Sequence, residues 1–202
     1  MHFQDDPEGV DIPRLLDEIP LLYKVKAFAD GLNANAWFSR LGEALDARET
    51  YLARAYLDGL GFPEAEAALL GDWEEAAGAA ESHDSDPMGW EAEEMLRTGL
   101  ISRALERLDE EAIGAALTLV AQKTGEDARD AIEDAAAMDD VEDMGLIQAA
   151  TGALAQAANG AALVILAEAE DDDPPHPFLA RWRLFARGRW PVGLAGATYN
   201  IL

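Results

Sequence analysis

Between Met144 and Ala167 the chain runs for 24 residues without a charged side chain, the longest such run in a sequence where charges otherwise recur at short intervals. On a 3.6-residue period Gln148, Thr151, Gln156 and Asn159 fall near one line. Ile147, Leu154, Ala158, Ala161 and Ile165 lie towards the other side, so the run reads as an amphipathic helix without charges. Asp140 is the expected N-cap, with Asp143 adding a carboxylate to the first turn, where the helix dipole favours it. The run is long enough to cross a bilayer. Its Ala and Gly content, an apolar cluster confined to Leu163–Leu166 and acidic flanks without Lys or Arg anchors argue against insertion. The expected fold is therefore all-α: a single-domain bundle of about 7–8 helices around an Ala-rich helix over 140–168, where small residues let neighbours approach closely.

Charge is the second constraint. The chain carries 15 Lys plus Arg against 40 Asp plus Glu, a formal net charge of −25. All 40 acidic residues precede Pro174 with 11 of the basic ones, so residues 1–173 carry −29. Residues 174–202 hold Arg181, Arg183, Arg187 and Arg189 without an acid, or +4. The expected organisation is an acidic helical domain over 1–173 and a basic aromatic segment over 174–202. Nucleic acid and anionic lipid are disfavoured as direct partners of such a body, whereas a basic protein is favoured. An acid-rich, Lys-poor composition also suits high-salt adaptation or plain solubility, a competing account with no specific function. No cysteine is present, which removes disulfides, thiol catalysis and zinc–thiolate sites. The acidic N-terminal leader lacks the apolar core of a signal peptide, so a cytoplasmic location is expected.

Along the chain, Asp11 with Pro13 is expected to open a short helix that Pro20 interrupts, and a second helical run ends near Gly31. Residues 34–59 read as one helix or two joined near Asp46, with Asp46 and Glu49 at capping-box spacing and a stop at Asp58–Gly61. Phe62–Pro63 should restart the chain as a helix burying Ala65, Leu69, Trp73 and Ala76. Trp90–Leu108 reads as a helix, with Glu93 and Arg97 on its outer, mixed-charge face. Asp109 caps another that ends around Lys123. Strand character is expected only after Val192.

The stretch Glu81–Gly89 reads as the clearest loop. Its consecutive Ser82, His83 and Asp84 diverge, whereas a catalytic triad needs groups converging from separate segments. Asp84, Asp86 and Gly89 match three calcium-loop positions, but Met95 stands where a bidentate Glu is required. With three widely spaced histidines, neither a metal centre nor a cofactor is expected. No phosphate-binding loop, dinucleotide fingerprint, nucleophile elbow or His-Glu-x-x-His motif occurs, and no general base with a partner can be named.

Two segments remain as candidate sites. From Glu126 to Asp143 nine carboxylates face a single Arg129. Asp127, Asp130, Glu133, Asp134, Asp139 and Asp140 form the expected surface for a basic partner, and a solvated outer face is the plain alternative. In the C-terminal segment Phe178, Leu179, Trp182 and Phe185 gather on one helical face, with Arg181, Arg183, Arg187, Arg189 and Trp190 around it. Those arginines either dock on the chain's own acidic body, meet a partner, or bind an anion. The leading functional expectation is a non-enzymatic acidic interaction module, of adaptor, inhibitor or immunity type. A binder or enzyme with an anionic-ligand cleft between the central helix and the C-terminal arginines is the second, and a structural domain the third.

Overall fold

The computed structural model describes residues 19–84 and 87–202, with the side chains at positions 83, 84 and 126 outside the description. Seven α-helices and a small sheet follow in order: α1 (Pro20–Asp30), a 3-10 turn (Leu32–Ala34), α2 (Ala47–Leu60), β1 (Glu66–Leu69), α3 (Trp73–Asp84), α4 (Pro87–Ala104), α5 (Glu110–Met138), α6 (Met144–Leu166), α7 (Pro177–Phe185), β2 (Pro191–Ala195) and β3 (Thr198–Ile201). The chain is a mostly helical single domain. The helix expected from Asp11 lies outside the described residues.

The Ala-rich run is α6, and with α5 it forms a helical hairpin joined by Asp139–Asp143. Its N-cap is Asp143 rather than Asp140: Asp143 Oδ1 accepts from the amides of Gly145 and Leu146 at 2.9 and 3.1 Å. Asp140 instead takes a positive φ of 55° in the turn that leaves α5. By length and hydropathy α6 could span a membrane. Here α1, α4, α5 and α7 pack against it, and Leu146, Ile147, Ala150, Leu154, Ala158 and Ala161 are buried.

α5 is one helix of 29 residues, not two with a break after Lys123. Ala112, Ala116, Val120, Thr124, Ala128, Ile132 and Ala136 are all buried, a stripe repeating every four residues that carries the helix through Gly125. Thr124 stays in this stripe because its hydroxyl donates to the Val120 carbonyl at 2.7 Å, which satisfies a buried polar group without leaving the helix.

Elsewhere tertiary contacts override local propensity. Between Asn35 and Asp46 the chain turns instead of continuing as a helix, with Phe38 and Gly42 at positive φ. α2 starts where the capping box closes: the Glu49 amide donates to Asp46 Oδ1 (2.8 Å) and the Asp46 amide to Glu49 Oε2 (2.9 Å). The helix expected after Pro63 is replaced by β1, which leaves Leu69 partly exposed. The reason is long-range: β1 pairs parallel with β3, Glu66 opposite Thr198 and Leu69 opposite Ile201, so the C-terminal strand supplies hydrogen bonds that local sequence does not foreshadow. β2 pairs antiparallel with β3 through a two-residue connection in which Gly196 takes φ 58°, giving the order β1-β3-β2. The expected loop at Glu81–Gly89 is also shorter, because α3 runs to Asp84 and α4 opens at Pro87. The spacing that suggested a calcium loop is thus occupied from Pro87 by helix, while the side chains of Asp84 and Asp86 lie outside the description.

Helix α7 joins two apolar clusters. Phe178, Leu179, Trp182 and Phe185 enter the larger one with α1, α3, α4, α5 and α6, and Ala180 and Leu184 enter a second with α2 and the sheet. Glycines make its close approach feasible. A Cβ at Gly59 on α2 would lie 2.3 Å from the Pro177 ring, and one at Gly160 on α6 would lie 3.1 Å from the Phe178 ring. His176 caps α7, its Nδ1 accepting from the Phe178 amide at 3.2 Å, which requires a neutral imidazole. Burial pushes its pKa below the ordinary 6.5, against the opposing pull of Asp172. The unfolded chain therefore binds this proton first, and the cap's contribution, full above about pH 6.5, is lost as pH falls through the lower folded value. His176→Asn keeps a cap without titration; urea melts from about pH 7 to about pH 5 should show a shallower loss of stability than in the parent.

Candidate functional site

Three of the four C-terminal arginines, Arg181, Arg187 and Arg189, meet carboxylates of the body, and these partners lie outside Glu126–Asp143. Arg189 is fully buried. Its Nη2 donates to Glu49 Oε2 (2.9 Å) and the Ala44 carbonyl (2.8 Å), and its Nη1 to the carbonyls of Glu43 (2.6 Å) and Arg40. Arg187 pairs with Asp46 and reaches Glu49 Oε1 at 3.3 Å, where Arg40 also donates at 2.8 Å. The capping-box residue Glu49 is thus the meeting point of three guanidinium groups. Burial alone would raise its pKa, but the Arg189 hydrogen bond, the Asp46 amide and the charges of Arg189 and Arg40 together hold it below its ordinary value.

A second junction fixes α7 to α4. Arg181 Nη1 donates to Glu93 Oε1 at 2.8 Å, and the Tyr56 hydroxyl donates to the same oxygen at 2.5 Å. Tyr56 stacks on Tyr199 of β3 with ring centroids 4.5 Å apart. Burial pushes both phenols well above their ordinary range, and the Glu93 charge adds to the rise at Tyr56. Burial would pull the Arg181 guanidinium down, yet the facing carboxylate and phenols reverse that and keep it charged. The outer-face expectation for Glu93 is therefore corrected: Glu93 is interior, and Arg97 pairs with Glu94 at 2.5 Å instead. Trp182 and Trp190 are buried as well, edge-on to Phe28 and Trp37 in one case and tilted against Trp73 in the other. Arg183 is half-buried and makes no ion pair among the described residues.

The acidic stretch is arranged differently. Asp130, Glu133, Asp134, Asp139 and Asp140 are exposed and Asp127 is half-buried. Among the described residues none of the six forms an ion pair. Two methionines flank the turn between α5 and α6, Met138 at 78% exposed and Met144 at 54%. Beside this turn a pocket of about 360 Å³ is lined by Asp139, Asp72, Glu74, Trp73, Val141 and Leu41, among others. Trp73 Nε1 donates to Asp139 Oδ2 at 3.0 Å, which ties the turn to the first residue of α3. Asp72 Oδ1 accepts from the Glu75 amide at 2.9 Å, so that carboxylate is oriented by the start of α3. Three carboxylates from two segments thus line one concavity, and no group of three or more His, Asp or Glu among the described residues is placed to hold a metal ion.

Sequence reasoning missed Glu49, Glu93, Tyr56, Tyr199 and the Asp72–Glu74 wall. Glu49 was visible only as a cap and Glu93 only as half of an outer-face pair with Arg97. The signal that each had a second role is spread over 88 to 140 residues of separation. No family model, curated protein or solved structure matches the chain, so its functional reading rests on this geometry.

Proposed function

We propose that the protein is a non-enzymatic acidic interaction module that captures a basic protein segment at the α5–α6 turn, seating one Arg or Lys side chain in the pocket lined by Asp72, Glu74 and Asp139. The observation that carries this reading is the convergence of those carboxylates on a concave site beside exposed Met138. A solvated acidic face has no need of a pocket. The exposed methionines add adaptable apolar contact for the stem of a basic side chain or its neighbours. The net charge of −25 steers a basic partner towards the body and repels polyanions, which favours a protein over nucleic acid or an anionic membrane. Because Arg181, Arg187 and Arg189 are occupied by Asp46, Glu49 and Glu93, these three do not fill the pocket, and its basic side chain comes from a partner.

General polycation attraction must be separated from this site. Fluorescence anisotropy with a labelled arginine-rich peptide should show saturable binding that weakens steeply with salt. The double variant Asp72→Asn/Asp139→Asn should weaken it by about tenfold, the effect of losing charged contacts to a seated guanidinium. The control Glu110→Gln/Glu111→Gln removes the same charge from the exposed start of α5 and should have little effect. Equal losses in the two variants, or binding indifferent to salt, would rule out the pocket.

A further inference from the structure

A second concavity lies between α4, α6 and the C-terminal segment, away from the acidic turn in both lining and chemistry. It has two lobes that share Trp90 and Gln156. One, of about 330 Å³, includes Arg181, Trp190, Val192 and Gly152. The other, of about 210 Å³, includes Glu93, Arg97 and Asn159. This is where the polar ridge of α6 comes to rest. Gln156 is exposed and Asn159 half-buried, so the ridge forms a wall of the cleft. Trp90, 60% exposed, belongs to both lobes and presents an indole that no core contact requires.

The lining contains buried polar atoms without protein partners, an uncommon condition because such atoms are nearly always satisfied. Among the residues lining the first lobe these are two donors, Arg181 Nε and Trp190 Nε1. In the second the unpartnered atom is an acceptor, Asn159 Oδ1. Arg181 uses Nη1 on Glu93, which neutralises its charge within the protein but leaves the Nε edge unused. Arg97 adds a guanidinium to the second lobe, half-spent on Glu94 and lying 5.7 Å from the Phe178 ring centroid. A molecule complementary to this lining presents acceptors to the Arg181–Trp190 side and a donor to Asn159.

The charge of the whole molecule narrows the class further. A polyanion such as a nucleotide polyphosphate would be repelled by a body of −25, and the cleft offers no cluster of unpaired cations to offset that repulsion. A zwitterion or a monoanion meets little of it. We propose that this cleft binds a small carboxylate bearing a neighbouring amino or hydroxyl group, an amino acid or a hydroxy acid, with the carboxylate at Arg181 and Trp190, the donor at Asn159 and Trp90 covering the carbon skeleton. The two lobes together have room for a metabolite-sized ligand.

Isothermal titration of the full chain with the amino acids and with short hydroxy acids tests this, using acetate, methylamine and inorganic phosphate as fragment and anion controls. At least one amino or hydroxy acid should bind saturably, and acetate and methylamine should bind about tenfold more weakly or worse, because each satisfies only one end of the cleft. Which set binds tells the amino from the hydroxy source. Trp90→Ala, at an exposed position, and Trp190→Phe, which removes the donor and keeps a ring, should each lower affinity about tenfold. If Trp190→Phe fails to fold, Gln156→Ala on the exposed side of α6 takes its place. Met95→Ala, also exposed on α4, should change nothing. The assignment is overturned if no member of the panel binds at millimolar concentration, if phosphate binds as well as the best acid, or if Trp90→Ala binds as the parent does.

Discussion

A chain ending before Phe178 is expected to have no cooperative thermal transition, because the last 25 residues are part of both apolar clusters instead of an appendage. They bring Phe178, Trp182, Phe185 and Trp190 into the larger cluster, and Leu184, Leu194, Tyr199 and Ile201 into the second. Truncating one buried Phe or Trp costs about 3–5 kcal/mol. Domains of this size are stable by about 5–15 kcal/mol, so losing four such rings together exceeds what the fold can absorb. The same cut removes β3, the strand that pairs with β1, and leaves the close-approach surfaces at Gly59 and Gly160 bare. Circular dichroism should show residual helix from the α5–α6 hairpin with a broad, non-sigmoidal melt. A truncated chain melting at the parent temperature would show that the segment is dispensable.

What the sequence made legible follows from the range of the interactions involved. Local chemistry announced the long helices. Asp109 caps α5, Asp46 and Glu49 close their box, and Gly61 ends α2 at a positive φ of 88°. Each of these acts within a few residues, where pattern and propensity operate. The errors lie where a distant segment decided the outcome. Ala67 and Ala68 are good helix formers held as a strand by β3, more than a hundred residues away in the chain. The break expected near Lys123 failed for a different reason: Thr124 and Gly125 weaken a helix in isolation, yet the four-residue stripe from Ala112 to Ala136 keeps both inside one packed helix.

The candidate sites divide on the same line. The carboxylates at Asp127–Asp140 were visible as a run of charge, because an exposed acidic face leaves its mark in consecutive sequence. Their pocket was not, since Asp72 and Glu74 reach it from the start of α3, over sixty residues earlier. The four C-terminal arginines were conspicuous for lacking acids nearby. Three of them pair with Asp46, Glu49 and Glu93, whose spacing marked only a capping box at Asp46 and Glu49 and an outer-face pair of Glu93 with Arg97. A charge imbalance in sequence therefore identified the donors of these pairs but not the acceptors.

Glu49 is where the second large effect is expected. The carboxylate and Arg189 are both fully buried, and Arg40 and Arg187 share its Oε1. Glu49→Gln keeps the shape and one acceptor oxygen but strips the charge that balances Arg189, leaving a buried guanidinium with only neutral acceptors, the Gln amide oxygen and the backbone carbonyls. Removing one partner of a buried pair costs about 3–5 kcal/mol. The double variant Glu49→Gln/Arg189→Met deletes the stranded charge, so its stability should exceed that of Glu49→Gln alone. Rescue stays incomplete because the carbonyls of Arg40, Glu43 and Ala44 then lose their donor, each at about 1–3 kcal/mol if left without water. A double-mutant cycle by urea denaturation measures this, and additive single effects would show that the pair is not coupled. Acid titration gives an independent check. The folded pKa of Glu49 lies below its ordinary 4.5, so the unfolded chain takes up the proton first. Its contribution is complete above that value and disappears as pH falls through the folded one. Below about pH 4.5 the parent should therefore lose stability more steeply than Glu49→Gln, which has no proton to gain at this position.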